Sequence, residues 1–178
     1  MPGTKRRDFS IMSLLIKKAC SWLALMLATV SFAVAEVKVG APFPDLGGFG
    51  LDGSVPEHQG KVMLVDFWAT WCGPCKASFP AYSNLQHELA DRGFTIVAVS
   101  VDKQKGTYDE FVKKFAPTFP TVRDAGQKMV GEVRVPAMPT SYLIDRHGIL
   151  RSVHSGFHGD GTVKELREEI IKLLEEKS

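Results

Sequence analysis

Two long apolar runs mark the middle of the sequence. The first spans residues 61–68 (KVMLVDFW) and the second spans residues 94–101 (FTIVAVSV). Short runs of this kind, rich in β-branched residues, are typical of strands that are buried on both faces of a sheet. A third strand is predicted over Ser141–Asp145. Residues 147–148 then predict a turn, after which Ile149–His154 returns as an antiparallel partner.

Apolar side chains recur at helical spacing between and after these strands. The helix after residue 75 has an apolar face formed by Phe79, Tyr82, Leu85 and Leu89, and Pro80 predicts a kink in it. Further helices are predicted over residues 107–115, over residues 127–130, and over residues 162–174 with Thr162 as the N-cap.

The order of these elements predicts the fold class. Strands alternate with helices and the last two strands form a hairpin, so we expect a mixed sheet with helices on both faces. Residues 36–60 are rich in glycine and proline, which predicts a lead-in of short strands and turns. No internal linker divides residues 36–178, and this range is predicted to form one α/β domain.

The first 35 residues predict a signal peptide. Basic residues precede a run of seventeen uncharged residues, ACSWLALMLATVSFAVA, which ends in Ala33-Val34-Ala35. This arrangement is typical of a signal-peptidase site, and Glu36 would be the first residue of the exported chain. The alternative is an uncleaved segment that tethers the domain to a membrane, since about 17 apolar residues can just span a bilayer.

Removal of residues 1–35 changes the charge of the chain and its cysteine count. The full sequence has 22 basic and 20 acidic residues, and the signal segment holds five of the basic and one of the acidic residues. The exported part therefore has a net charge of −2, which removes the main argument for nucleic-acid binding. Because Cys20 lies in the signal segment, Cys72 and Cys75 are the only cysteines of the exported part.

The stretch WCGPC, residues 71–75, carries the most specific chemistry in the sequence. Two cysteines three positions apart in the first turn of a helix share one face, with α-carbons about 5–6 Å apart. This separation suits a disulfide. Cys72 lies at the helix N-terminus, where the helix dipole stabilises a thiolate, and is the predicted nucleophile. Cys75, one turn deeper, is the predicted resolving cysteine.

Asp66 lies in the middle of the first apolar run, six residues before Cys72. Burial raises the pKa of a carboxyl group, and such a group can accept a proton from Cys75 when a mixed disulfide is resolved. The alternative is a solvated carboxylate at the edge of the sheet, which the apolar neighbours disfavour.

Metal binding is the other chemistry open to a cysteine pair. A structural zinc site needs a second pair of ligands, and the histidines are scattered, with His154 and His158 expected at the surface. We therefore predict neither a resident metal nor a cofactor. The alternative hypothesis is a copper-handling module, in which Cys72, Cys75 and Met138 supply soft ligands for Cu(I).

The residues around the cysteine pair resemble the thioredoxin superfamily. Asp66-Phe67-Trp68-Ala69, WCGPC and Pro80 are similar to its active-site segment, and Ala137-Met138-Pro139-Thr140 resembles its cis-proline loop. Over residues 37–175 the chain resembles the exported TlpA/ResA-like branch, which has a redoxin or AhpC/TSA-like domain. The resemblance implies a thioredoxin fold with an N-terminal extension and an insert, residues 103–135, before the cis-proline strand.

The resemblance also implies an activity and its partners. The domain would reduce disulfides of exported proteins in the periplasm, take electrons from a membrane reductant of the DsbD type, and contact substrate through Trp71, Gly73, Pro74, Met138 and Pro139. Two departures stand out: many members have asparagine where this chain has Asp66, and the second buried strand lacks the lysine of thioredoxins. A thiol peroxidase is excluded, because Val65 and Ala69 replace the proline and threonine that peroxiredoxin-like sites require.

Overall fold

Five strands form one mixed sheet in the computed structural model, which describes residues 37–176. The strands are β1 (Val62–Trp68), β2 (Phe94–Ser100), β3 (Thr121–Arg123), β4 (Thr140–Ile144) and β5 (Leu150–Ser155), in the spatial order β3-β2-β1-β4-β5. The first three are parallel, whereas β4 is antiparallel to β1 and β5 is antiparallel to β4. The predicted mixed α/β sheet is confirmed, and β1 is its central strand.

Four α-helices connect and cover the strands. They are α1 (Gly73–Leu89), α2 (Lys105–Phe115), α3 (Lys128–Val133) and α4 (Asp160–Glu175), and 3-10 helices cover Leu46–Phe49 and Ala90–Arg92. Helices are present at all four predicted positions, and the predicted ends differ from the observed ones by at most three residues. Apolar side chains on one face of α1, α2 and α4 dock on the sheet.

The two faces of the sheet carry separate cores, because side chains alternate along a strand. Leu64 and Trp68 of β1 belong to the core that packs against α1, α2 and α4, here called the α1 core. Val65 and Phe67 belong to the core on the opposite face, here called the α3 core, together with Met129 of α3. Helices therefore cover both faces as predicted, and burial on both sides explains the continuous apolar runs of β1 and β2.

Three details of the sequence prediction are wrong. Residues 37–61 form turns, a 3-10 helix and single bridges from Pro42 to Ile149 and from Asp52 to Arg123, but no regular strand. β3 escapes prediction because three residues are too few to show a period. Helix α4 begins two residues before the predicted N-cap Thr162, whose hydroxyl instead accepts a hydrogen bond from the His158 N–H.

The predicted signal peptide over residues 1–35, its cleavage site before Glu36, and Cys20 lie outside the described residues. Within residues 37–176, no helix is both long enough and apolar enough to cross a membrane. The signal peptide therefore stays a prediction.

Candidate active site

The cysteine pair forms a disulfide at the start of α1. Cys72 is the N-cap residue, and Gly73 and Pro74 occupy the first helical positions, where the missing N–H of proline leaves no helix bond unmade. The α-carbons of Cys72 and Cys75 are 5.3 Å apart, within the predicted range. The Cys72 sulfur also accepts a hydrogen bond of 3.2 Å from the Cys75 N–H, so one backbone donor of the first helical turn points at this sulfur.

The two cysteines differ in access to solvent. Cys72 is 5% exposed, whereas Cys75 is fully buried in the α1 core. Trp71, next to Cys72, is 71% exposed, and Gly73 and Pro74 are exposed as well. Of the two cysteines, Cys72 is thus the one with exposed surface. The roles of nucleophile and resolving cysteine stay predictions.

Asp66 is fully buried on the central strand, so the alternative of a solvated edge position is wrong. Its Oδ1 accepts a hydrogen bond of 2.6 Å from the Ser141 hydroxyl, and Oδ2 has no partner among the described residues. Burial raises the pKa of Asp66 from 3.8 to about 7, although the bond from Ser141 opposes this rise. The carboxyl group is therefore poised to gain or lose a proton near neutral pH.

The sheet register explains the surroundings of Asp66. Asp66 pairs with Ala98 of β2 on one side and with Ser141 of β4 on the other. Directly paired residues point to the same face of the sheet, so Ser141 meets the carboxylate and Ala98 offers only a methyl group. Of the two residues that pair with Asp66, Ser141 on β4 is therefore the one that offers a polar group, a neutral hydroxyl.

Helix α1 adds a second hydroxyl to this group. Tyr82, on the same inner face of α1 as Cys75, lies with its hydroxyl 3.0 Å from the Ser141 hydroxyl. Sequence reasoning places Tyr82 in the apolar face of the helix and Ser141 at the start of a strand, but assigns neither a chemical role. The only signal available is that both carry a polar atom at a position predicted to be buried.

The loop before β4 lies beside the cysteine pair. The Met138–Pro139 peptide bond is cis, as the resemblance predicts. Pro139 is buried, and Met138 packs against the α1 core, which includes both cysteines. The Pro139 carbonyl accepts a hydrogen bond of 2.8 Å from the Gly156 N–H, which ties the loop to the end of β5. Substrate binding by Trp71 and the loop stays a prediction.

A pair of distant polar residues holds the segment before Cys72. The Asp102 carboxylate accepts hydrogen bonds from the Thr70 N–H at 2.9 Å and from the Thr70 hydroxyl at 2.8 Å. The Ser100 hydroxyl donates to the same carboxylate at 2.8 Å. These bonds tie Thr70 to the residues at the end of β2, next to the exposed Trp71. Sequence reasoning misses this anchor, because the two residues are 32 positions apart.

The histidine prediction is wrong for His154. Its side chain is only 11% exposed, and its Nε2 lies 2.9 Å from a carboxylate oxygen of Glu169. The reason is that α4 lies over β5 and places Glu169 against the ring. No group of three or more His, Cys, Asp or Glu side chains in residues 37–176 is arranged to hold a metal ion.

A sheet of this order, with a cysteine pair at the N-terminus of α1 and a cis-proline before β4, defines a thiol–disulfide oxidoreductase of the thioredoxin fold. The sequence model of the AhpC/TSA family matches residues 39–153, and the chain belongs to this family. The family, fold and enzyme class predicted from the sequence are confirmed.

Individual relatives agree with this assignment. The thiol-disulfide oxidoreductase ResA of Geobacillus thermodenitrificans is 29% identical over 159 residues, which cover 83% of this chain and 91% of that protein. The thioredoxin-like protein YneN of Bacillus subtilis is 33% identical and covers 72% of this chain and 78% of its own length. A crystal structure from Chlorobium tepidum, described as a thiol:disulfide interchange protein DsbE, is 33% identical and superposes with a TM-score of 0.72, covering 78% of this chain and 99% of that one.

Proposed function

We propose that this protein is an exported reductase that transfers electrons from the Cys72–Cys75 dithiol to disulfides of periplasmic client proteins. The observation that carries the proposal is the asymmetry of the pair, with Cys72 at the N-cap of α1 and 5% exposed and Cys75 fully buried. An accessible nucleophile beside a shielded second thiol suits exchange with large substrates, because only one sulfur can form the mixed disulfide.

The proposed reaction balances in two steps. The Cys72 thiolate attacks one sulfur of the client disulfide, so a mixed disulfide forms and one client thiolate leaves. Cys75 then gives its thiol proton to the ionised Asp66 carboxylate, and the resulting Cys75 thiolate attacks the Cys72 sulfur. The intramolecular disulfide forms, the second client thiolate leaves and takes up a proton, and two electrons have moved to the client.

Asp66 supports the second step through its pKa. A base is most effective when its pKa lies near the working pH, and burial brings the pKa of Asp66 to about 7. An ordinary carboxyl, with a pKa of 3.8, would accept a proton from a thiol far less readily. The oxidised protein must afterwards be reduced by an external dithiol donor, for which we propose a membrane reductant of the DsbD type.

Export belongs to the same proposal and can be checked on the purified protein. The apolar segment before Glu36 and its small-x-small end support cleavage after Ala35. We expect the protein from the exported fraction to have the mass of residues 36–178. A mass that includes residues 1–35, together with recovery in membranes, would instead indicate an uncleaved tether.

The reduction potential tests the direction of electron flow. We expect the Cys72–Cys75 couple to equilibrate near the potential of thioredoxin, about −270 mV, and far below that of the oxidant DsbA, about −120 mV. The measurement uses defined dithiothreitol buffers and mass analysis of the alkylated thiols. A value close to −120 mV would contradict a reductase and indicate an oxidase of exported proteins.

The copper hypothesis has one observation in its favour, the contact of Met138 with the core that contains both cysteines. Titration of the reduced protein with Cu(I) separates the two functions. Tight binding of one ion that requires Cys72, Cys75 and Met138 would favour copper handling over disulfide reduction.

A further inference from the structure

We propose that the hydroxyls of Ser141 and Tyr82 form a hydrogen-bonded chain that solvates Asp66 in both of its protonation states and leaves Oδ2 open to the proton from Cys75. Ser141 and Tyr82 are thereby positioning residues for the proton step. This inference rests on the proposed function only in the role that it gives to Cys75.

Three elements of the fold bring these three side chains together. Asp66 comes from β1, Ser141 from its antiparallel partner β4, and Tyr82 from α1, which packs over both strands. The bond from Ser141 to Asp66 is 2.6 Å long, and the two hydroxyls are 3.0 Å apart. Asp66 and Tyr82 are fully buried and Ser141 is 1% exposed, so bulk water does not compete for these bonds.

Proton counting gives the direction of the chain. An ionised carboxylate only accepts hydrogen bonds, and a hydroxyl has a single proton to donate. Because Ser141 donates its proton to Asp66, the bond between the hydroxyls must run from Tyr82 to Ser141. The chain then points at the charge, as Tyr82→Ser141→Asp66, and each hydroxyl polarises the next.

The same arrangement suits the protonated carboxyl without any reversal. When the proton arrives at Oδ2, Oδ1 is the carbonyl oxygen and still accepts the hydrogen bond from Ser141, which still accepts from Tyr82. No buried hydroxyl loses its partner in either state, so the protein need not rearrange when the proton arrives. Oδ2, which lacks a partner among the described residues, is the oxygen left to receive it.

Among the described residues, no positively charged side chain competes with the two hydroxyls for the Asp66 carboxylate. Cys75 and Tyr82 lie on the inner face of α1, Ala98 pairs with Asp66 on β2, and α4 adds the apolar side chains of Leu166 and Ile170 to the α1 core. His154 of β5 pairs with Ser141 along the sheet, but its ring is engaged by Glu169. No Lys, Arg or His in residues 37–176 forms a hydrogen bond or ion pair with Asp66. The two hydroxyls are therefore the groups that stabilise the carboxylate.

The test is a carbon-13 NMR titration of the Asp66 carboxyl in the oxidised protein, with Asp66→Asn used to assign the signal. We expect Ser141→Ala to raise the titration midpoint by about one pH unit or more, because a donor to the charged form is lost. Tyr82→Phe should raise it by less, since it removes only the second bond. When Ser141 is already replaced by alanine, Tyr82→Phe should not shift the Asp66 midpoint further, because its effect passes through Ser141.

Matched variants control for loss of a buried hydroxyl. Ser100→Ala removes a buried serine hydroxyl that donates to Asp102, and Tyr108→Phe removes a tyrosine hydroxyl that donates to Thr121. Neither control should move the titration midpoint of Asp66. Ser141→Thr, which keeps a hydroxyl, should have the same midpoint as the unmodified protein. The proposed hydrogen-bonded chain would be contradicted if the Asp66 midpoint is unchanged in both Ser141→Ala and Tyr82→Phe, or if the controls shift it equally.

A second measurement tests proton transfer from Cys75 to Asp66 independently of the hydrogen-bonded chain. If the midpoints move as expected, the resolution rate of the mixed disulfide should shift its pH profile by the same amount in Ser141→Ala. If the pH profile of the resolution rate is unchanged in both Ser141→Ala and Asp66→Asn, Asp66 has no part in the proposed reaction. The shift of the Asp66 titration midpoint would still stand in that case. A shifted midpoint together with a shifted profile supports both.

Discussion

Replacement of Cys72 by serine is expected to lower the rate of client disulfide reduction by at least about 10³-fold, the scale on which loss of a nucleophile acts. The reason is that Cys75 is fully buried and cannot attack a protein disulfide in its place. The measurement is the reduction of insulin disulfides by the dithiothreitol-reduced protein, followed by turbidity.

Replacement of Cys75 by serine is the informative companion variant. Cys72 can still attack, but no second thiol resolves the product, so a stable mixed disulfide with the client should accumulate and disappear on reduction. Gel electrophoresis without reductant shows this species, and Ser78→Ala, which leaves both sulfurs in place, should not accumulate it. Equal trapping by the Cys72 and Cys75 variants would contradict the assignment of nucleophile and resolving cysteine.

Replacement of Asp66 by asparagine is expected to change the pH dependence of stability. The folded-state pKa of Asp66, about 7, lies above its ordinary value of 3.8, so folding disfavours the charged form. The contribution of the Asp66 carboxyl to stability is therefore full below pH 3.8 and is lost as the pH rises through about 7. Relative to wild type, Asp66→Asn should gain roughly 4 kcal/mol of unfolding free energy between pH 4 and pH 8.

Denaturant unfolding of the oxidised proteins at a series of pH values measures this difference. Asp109→Asn is the matched control, because Asp109 is half exposed and pairs with Lys105 on the surface of α2. Its effect should stay within about 1 kcal/mol over the same range. A difference between Asp66→Asn and wild type that does not vary with pH would show that the carboxyl does not titrate in this window.

The same asparagine variant should resolve mixed disulfides more slowly at neutral pH, by roughly 10²-fold or more, while client binding changes little. Stability and rate thus move in opposite directions. Such opposition is expected where a buried charge is retained for chemistry and not for folding.

Much of the fold follows from local sequence patterns. The apolar runs of β1 and β2 and the helical spacing of Phe79, Tyr82 and Leu85 define elements whose periods are read over a few residues. The lead-in and β3 are predicted poorly, because single bridges and a three-residue strand depend on neighbours that lie far away in the chain. WCGPC and the cis-proline loop are found from sequence because each is a contiguous motif.

The sequence by itself determined four of the five strands, the positions of the four α-helices, the identity of the cysteine pair and the burial of Asp66. Only the tertiary structure decided which side chains meet that carboxylate. The pairing of Asp66 with Ser141 depends on the register of β4 against β1, 75 residues apart, and the contact with Tyr82 depends on how α1 docks on both strands. A register shift of one residue would turn Ser141 to the opposite face, and no local pattern encodes that choice.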